Sequence, residues 1–318
     1  MAPPKVPENR ALGQVMKLEK QLATLTDTTL SDTELLNMGI RRAPPLNVDD
    51  PNASDSWPVF FQPVEDSVEL REAVAKLGTE LGNWSYCPYE AEHVDRLACA
   101  LHTLGWFTYM RDEVVDFHPS GAPVWIQLNY SRSEGPRLPH YSASDNYLRK
   151  HRHRPSQPLP EWFTSTAFCI KEMLHVGCCV ADNTPHRQGT ALRSEIAAAV
   201  SLMRRRMQVA GGAGFPVPVV VYSMYHNETA RITQVCWEPD GSITFRQSRL
   251  LDMTSRSFDT PDVFLLIRWM GCVALRNPKQ AGKLGAPKID GATTTAHTGN
   301  ATPERASHAR AEGWKPPC

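Results

Sequence analysis

Four carboxylates stand where paired acids could do chemistry. Asp116 ends the run VVD and Asp182 ends the run HVGCCVAD, while Glu90 and Glu92 open the stretch EAEHVDRLACALHTLG. Acids at the ends of neighbouring strands can hold Mg²⁺ through oxygen ligands. The ion then activates water and neutralises charge on a phosphate. Asp116 and Asp182 are the candidate catalytic and metal-ligating pair, with Glu90 and Glu92 as additional ligands. Acids at element ends also serve simply as solvated boundaries, and spacing alone does not separate the two readings.

A second candidate is cationic. Arg149, Lys150, Arg152 and Arg154 crowd the segment RKHRHR and form the best phosphate-contact run of the chain, a candidate nucleic-acid-binding site. His151 and His153 lie within it and read as part of a basic loop before they read as metal ligands. Arg204, Arg205 and Arg206 fall in the last turns of a helix, where the dipole accounts for cations. Other chemistries find no support. Cys178 and Cys179 sit in an apolar run, where a thiol is inert. The Gly-rich stretch at 211–214 follows a helix instead of opening one, so it is a stop and not a phosphate cradle. No GxSxG, HExxH or phosphate-loop pattern occurs.

The elements that must position these residues follow from periodicity. Ala191 to Val209 has Leu192, Ile196, Val200, Met203 and Met207 at helical spacing. Before it, His175 to Asp182 reads as a strand. After it come three strands, VPVVVYSMY, TARITQVCW and SITFRQSRL, the last two joined by the turn Pro239-Asp240-Gly241. Upstream, helices are expected over Leu12–Leu25, from Asp66 or Ser67 to Leu81, and over Glu90–Gly105. WFTYMRDEVVDF and PVWIQLNYS read as a hairpin, which places Asp116 at a strand end. Phe163, Ala167, Ile170 and Leu174 share one helical face, so Trp162–Leu174 is expected to be helical. A last helix is expected over Val263–Leu275.

Composition bounds the rest. The chain has 318 residues and equal numbers of cationic and anionic side chains, 34 each, so net charge gives no argument for nucleic acid. Its eight cysteines include no CxxC pair and read as reduced thiols. The start MAPPKVPENRALGQ lacks an apolar signal core, and no run suits a membrane span. An intracellular location, cytoplasmic or nuclear, with no membrane partner is therefore expected. Residues 1–57 are expected to be a helix plus Pro-rich lead-in, 58–276 one domain, and 277–318 a disordered tail.

The order of these elements resembles a group of fungal proteins with a PD-(D/E)xK nuclease-like domain. The resemblance is carried by QVMKLEKQLATL with its Pro-rich linker, SWPVFFQPVEDSVELREAVAKLGTEL, YEAEHVDRLACALHTL, ALRSEIAAAVSLMRRRM, the three strands and VFLLIRWM. It spans roughly residues 12 to 276. It implies an α/β fold of restriction-endonuclease-like type, a mixed β-sheet flanked by helices with disordered flanks. It also implies a Mg²⁺-dependent nuclease acting on DNA or RNA. In this family an acid on one strand precedes an acid-x-Lys motif on the next. Asp116 falls at the first acid, or in another register Gln127 does. For the second motif, one register puts Ala181 at the acid and Asn183 at the lysine. A slip by one puts Asp182 and Thr184 there. Neither supplies a lysine; Lys171 and Glu172 lie nearby in the reverse order, KE. The resemblance thus implies a degenerate site. The alternatives are a non-catalytic module binding nucleic acid or protein, and an accessory protein of a fungal metabolic pathway.

Overall fold

In a computed structural model, the stretch from 162 to 252 builds the middle of an eight-stranded mixed sheet. The structure describes residues 8–50, 58–80, 107, 114, 117–118, 125–128, 162–170, 173–184, 189–209, 216–225, 228–238, 240–254, 258 and 260–275. In chain order the elements are α1 (Glu8–Thr24), β1 (Thr29–Leu30), α2 (Asp32–Asn37), β2 (Ile40–Arg42), β3 (Phe61–Gln62) and α3 (Val68–Glu80). There follow β4 (Trp125–Gln127), β5 (Trp162–Ile170), β6 (Val176–Asp182), β7 (Ala191–Leu192), α4 (Arg193–Val209) and β8 (Val217–Tyr225). The last are β9 (Thr229–Trp237), β10 (Ile243–Gln247), β11 (Leu251–Asp252), α5 (Pro261–Met270) and β12 (Val273–Ala274).

The main sheet runs β2-β10-β9-β8-β6-β5-β4, with β11 also on β9. β5 and β6 form an antiparallel pair. The chain then crosses over through α4 and returns in β8, parallel to β6 with Val176 opposite Val219 and Asp182 opposite Tyr225. A parallel return needs such a crossover, and a sheet with both faces covered reads as continuous apolar sequence. That is why CCVA and VPVVV are buried at every residue.

Two cores lie on the two faces. Val176, Cys178, Val180, Val219, Val221, Val235 and Phe245 meet α4, on whose outer side α1 packs through Val15, Leu18 and Leu22. Cys179, Ala181, Val220, Tyr222 and Ile232 meet the side that holds α3, α5, β3 and β12. The period of two along each strand assigns alternate residues to opposite cores.

Three expectations are corrected. Trp162–Ile170 is strand, not helix: its nine residues are all buried, and its Trp, Phe and Thr content suits a central strand better than the coincidental helical spacing. Within WFTYMRDEVVDF, Phe107 and Val114 are helical, so the hairpin that placed Asp116 at a strand end is not formed as expected; Asp116 itself lies outside the described residues. Of PVWIQLNYS, Trp125–Gln127 is strand, and it pairs with β5. The Pro-rich linker expected in the lead-in covers 41–57. Of its described part, 41–50, Arg41 and Arg42 lie in β2, which pairs in parallel with β10, and Ala43, Leu46 and Val48 are buried, while 51–57 lie outside the described residues. The described lead-in and the body share one compact unit ending at Leu275. The tail lies outside the described residues.

His175 enters the core where β5 turns into β6. Its ring meets Phe60 and Phe61 edge-on, with centroids 6.4 and 5.3 Å away. Burial pushes its imidazole down to about 4; nearby backbone of Phe60 and Leu275 offsets part of this and Arg206 adds to it. The fold therefore holds it neutral. Below the ordinary value of 6.5 the unfolded chain takes up a proton that the folded chain refuses. Stability should fall as pH drops from 6.5 toward 4 and level off beneath, by about 3 kcal/mol in all. Urea midpoints measured across that range should flatten for His175→Phe. An equal slope in that variant would assign the effect to other groups.

Candidate functional site

The carboxyl end of the parallel pair carries a row of polar side chains on the α4 face. Asp182 of β6, Ser223 and Tyr225 of β8, Arg231 and Thr233 of β9 and Gln247 of β10 all lie on that face. Their registers align them: Asp182 opposite Tyr225, Ser223 opposite Arg231, Thr233 opposite Gln247. Into this row the first turn of α4 delivers Glu195. In open α/β sheets this end, beside a helix N-terminus, is where ligands gather.

Glu195 is fully buried and Arg231 is 1% exposed. Arg231 Nε donates to Glu195 Oε1 at 3.0 Å, and Arg231 Nη2 donates to Oε2, which makes the pair bidentate. Oε1 also accepts from Tyr225 at 2.7 Å, Thr233 at 3.0 Å and Ser223 at 3.1 Å. Oε2 accepts from Gln247 Nε2 at 3.0 Å and from the Leu192 amide at 3.2 Å. Arg231 Nη1 reaches the Thr190 carbonyl at 2.8 Å. Burial alone would pull Arg231 down, but the Glu195 charge overrides it and holds the guanidinium above its ordinary value. Burial pushes the Tyr225 phenol up, with Glu195 adding to the shift, so it remains a donor. The low dielectric makes such a network strong when every member is satisfied.

Asp182 lies beside it, 1% exposed. Oδ1 accepts from the Thr184 amide at 2.7 Å and Oδ2 from the Ser194 hydroxyl. Burial raises its carboxyl above the ordinary value, hydrogen bonding from Ser194 and from the side chain and amide of Thr184 opposes this, and the Glu195 charge adds to the rise. A raised, shielded acid is a poor ligand for a cation. Mg²⁺ takes carboxylate oxygens that are open to it. Both oxygens of Glu195 and both of Asp182 are already engaged, so the described residues do not fit the ion the resemblance implies. Among the described residues, no group of three or more His, Cys, Asp or Glu could hold a metal.

Of the residues singled out by sequence, the structure thus places Asp182 alone in this row. Asp116, Glu90, Glu92, Arg149, Lys150, Arg152 and Arg154 lie outside the described residues. Glu195, Ser223, Tyr225, Arg231, Thr233 and Gln247 were not foreseen. Two signals mark them in retrospect. Glu195 is the one acid in α4, and Arg231 is the one charged residue in β9.

The engagement of Asp182 has a direct consequence. Asp182→Asn keeps an acceptor for the Thr184 amide and gains a donor for Ser194, so it should change stability by less than about 1 kcal/mol. Asp182→Ala strands both partners and should cost about 1–3 kcal/mol. Urea denaturation at neutral pH separates the two; equal losses would mean that the carboxylate charge itself is required.

No protein-family model, no curated protein and no solved structure matches the chain. Among the described residues, no helix is long and apolar enough to cross a membrane.

Proposed function

We propose that this chain is a PD-(D/E)xK nuclease-like scaffold that binds nucleic acid without cutting it. One observation carries the non-catalytic part: the acid at the end of β6 is buried and capped by Ser194 and Thr184, beside a Glu195 whose oxygens are spent on Arg231 and its neighbours. A hydrolytic site leaves its acids open to metal and water; this row uses them as internal structure. Thr184 and Asn183 stand where a lysine belongs, which agrees with that use. The crossover from β6 through α4 to the parallel β8 is compatible with the restriction-endonuclease-like type, although fold does not carry activity. Binding is assigned to the cations Arg149, Lys150, Arg152 and Arg154, whose density in sequence suits phosphate contact.

The test is an assay on single- and double-stranded DNA and RNA with Mg²⁺ or Mn²⁺. Neither wild type nor Asp182→Asn should cleave. Both should bind with an affinity that falls steeply with salt, and neutralising the four cations together should abolish binding. Metal-dependent cleavage lost in Asp182→Asn would instead restore a nuclease with Asp116, Asp182, Glu90 and Glu92 as its ligands. Absence of both cleavage and binding would leave the accessory role.

A further inference from the structure

Residues 8–50 reach the buried row by several routes. β2 lies along β10, where Arg42 Nη1 donates to Gln247 Oε1 at 2.7 Å. The other end of the same amide, Gln247 Nε2, donates to Glu195 Oε2 at 3.0 Å. β1 pairs with β7, placing Thr29 opposite Leu192, and the Leu192 amide donates to Glu195. Arg193, the first residue of α4, donates its amide to the Thr28 carbonyl at 2.9 Å and its guanidinium to the Leu25 carbonyl. Farther along α4, Glu19 of α1 accepts from Ser201 at 2.8 Å and pairs with Arg204 at 3.1 Å.

The arm has little core of its own. Val15, Leu18, Leu22, Leu30, Leu35 and Ile40 all belong to the core shared with α4 and the sheet. Its strands are two and three residues long. Segments held by few backbone bonds open at lower free energy than the central strands they cover. Arm and row are thus joined by hydrogen bonds, while the arm is the weaker partner.

We propose that residues 8–50 act as a strap: docked, they hold residues 190–195 and the Glu195 row closed, and displaced, they loosen that segment while β8 and β9 stay folded. The coupling runs through Gln247, β7 and the start of α4. It operates whatever the domain binds, so the strap stands or falls apart from the nucleic-acid reading. A competitor for the arm's seat would thereby act on the row from a distance, which is a coupling between two sites through one element with two states.

Hydrogen exchange on the full chain tests it. In wild type at low urea, amides of 12–24 and 190–195 should exchange through one common opening, before those of 217–225 and 229–237. Leu18→Asp, which puts a charge into the α1–α4 contact, should speed exchange in both segments together and leave β8 and β9 protected. Arg42→Ala should speed 190–195 by about fivefold, the scale of its one lost hydrogen bond to Gln247; its bond to Asp32 and its stacking on Phe245 go too but lie outside that segment. If Leu18→Asp does not fold, Glu19→Ala removes the contacts to Ser201 and Arg204 without burying a charge and is read in the same way. Faster exchange in 12–24 with 190–195 unchanged would overturn the strap. So would opening of 190–195 only together with β8 and β9.

Discussion

Glu195→Ala should destabilise the fold by about 3–5 kcal/mol, the cost of leaving one charge of a buried pair alone. The abandoned group is Arg231, 1% exposed, which would keep only its bonds outside the pair. Four further donors from Ser223, Tyr225, Thr233 and Gln247 lose their acceptor at the same time. Glu195→Gln should rescue little. Its amide nitrogen would face the Arg231, Gln247 and Leu192 donors at Oε2, and the charge opposite Arg231 would be gone. Removing both charges at once, as Glu195→Leu with Arg231→Met, should cost clearly less than the sum of the single changes, because groups in one network couple by about 0.5–3 kcal/mol. The losses should change little with salt, since screening does not reach a buried pair as it does a surface one. A domain of ordinary stability holds about 5–15 kcal/mol, so the single variants should be visibly compromised. Urea midpoints give the answer. A loss under about 1 kcal/mol for Glu195→Ala would mean that the row is not a satisfied network.

The central unit was legible because its physics is local and periodic. α4 shows a long apolar repeat, and β8 and β9 are nine-residue runs. The turn between β9 and β10 announces itself through Asp240, whose carboxylate accepts from the Ser242 amide at 2.8 Å, and Gly241, whose φ of 87° favours glycine. The arm was not legible for the converse reason. β1 and β2 are too short to show a period, and their partners lie 163 and 203 positions away along the chain. β5 misled because a strand buried on both faces loses its alternation and can mimic a helical stripe.

The site was less legible than the fold. Asp182 is legible as an acid at a strand end, but nothing in its neighbourhood in sequence shows that Ser194 and the Thr184 amide occupy it. Nor does spacing reveal that Glu195 and Arg231, thirty-six positions apart, form a pair. Such pairs are set by strand register and by where the crossover helix begins. A lone acid in a helix and a lone cation in a buried strand are the traces they leave. Matching one to the other requires the sheet order.

Trp269→Ala should be the second large loss, about 3–5 kcal/mol, as for a big aromatic cut from a packed core. Trp269 of α5 is 1% exposed and ranks among the largest fully buried side chains. It also joins three parts of the fold. Its indole nitrogen donates to the Val48 carbonyl at 3.3 Å, and its own carbonyl accepts from the Tyr222 hydroxyl of β8. Val48 lies in the segment that follows β2, so the indole pins the end of the arm as well as filling the α5 side of the core. Trp269→Phe keeps most of the ring and loses the bond to Val48. It should cost about 1–2 kcal/mol, from the lost hydrogen bond and a partly filled space. The arm separates packing from tethering. In Trp269→Phe, exchange should quicken at 46–50 while β8 stays protected. In Trp269→Ala, thermal unfolding should move down for the whole unit. If Trp269→Phe lowered stability as much as Trp269→Ala, the bond to Val48 would outweigh the ring, and the arm's end would be the stronger constraint of the two.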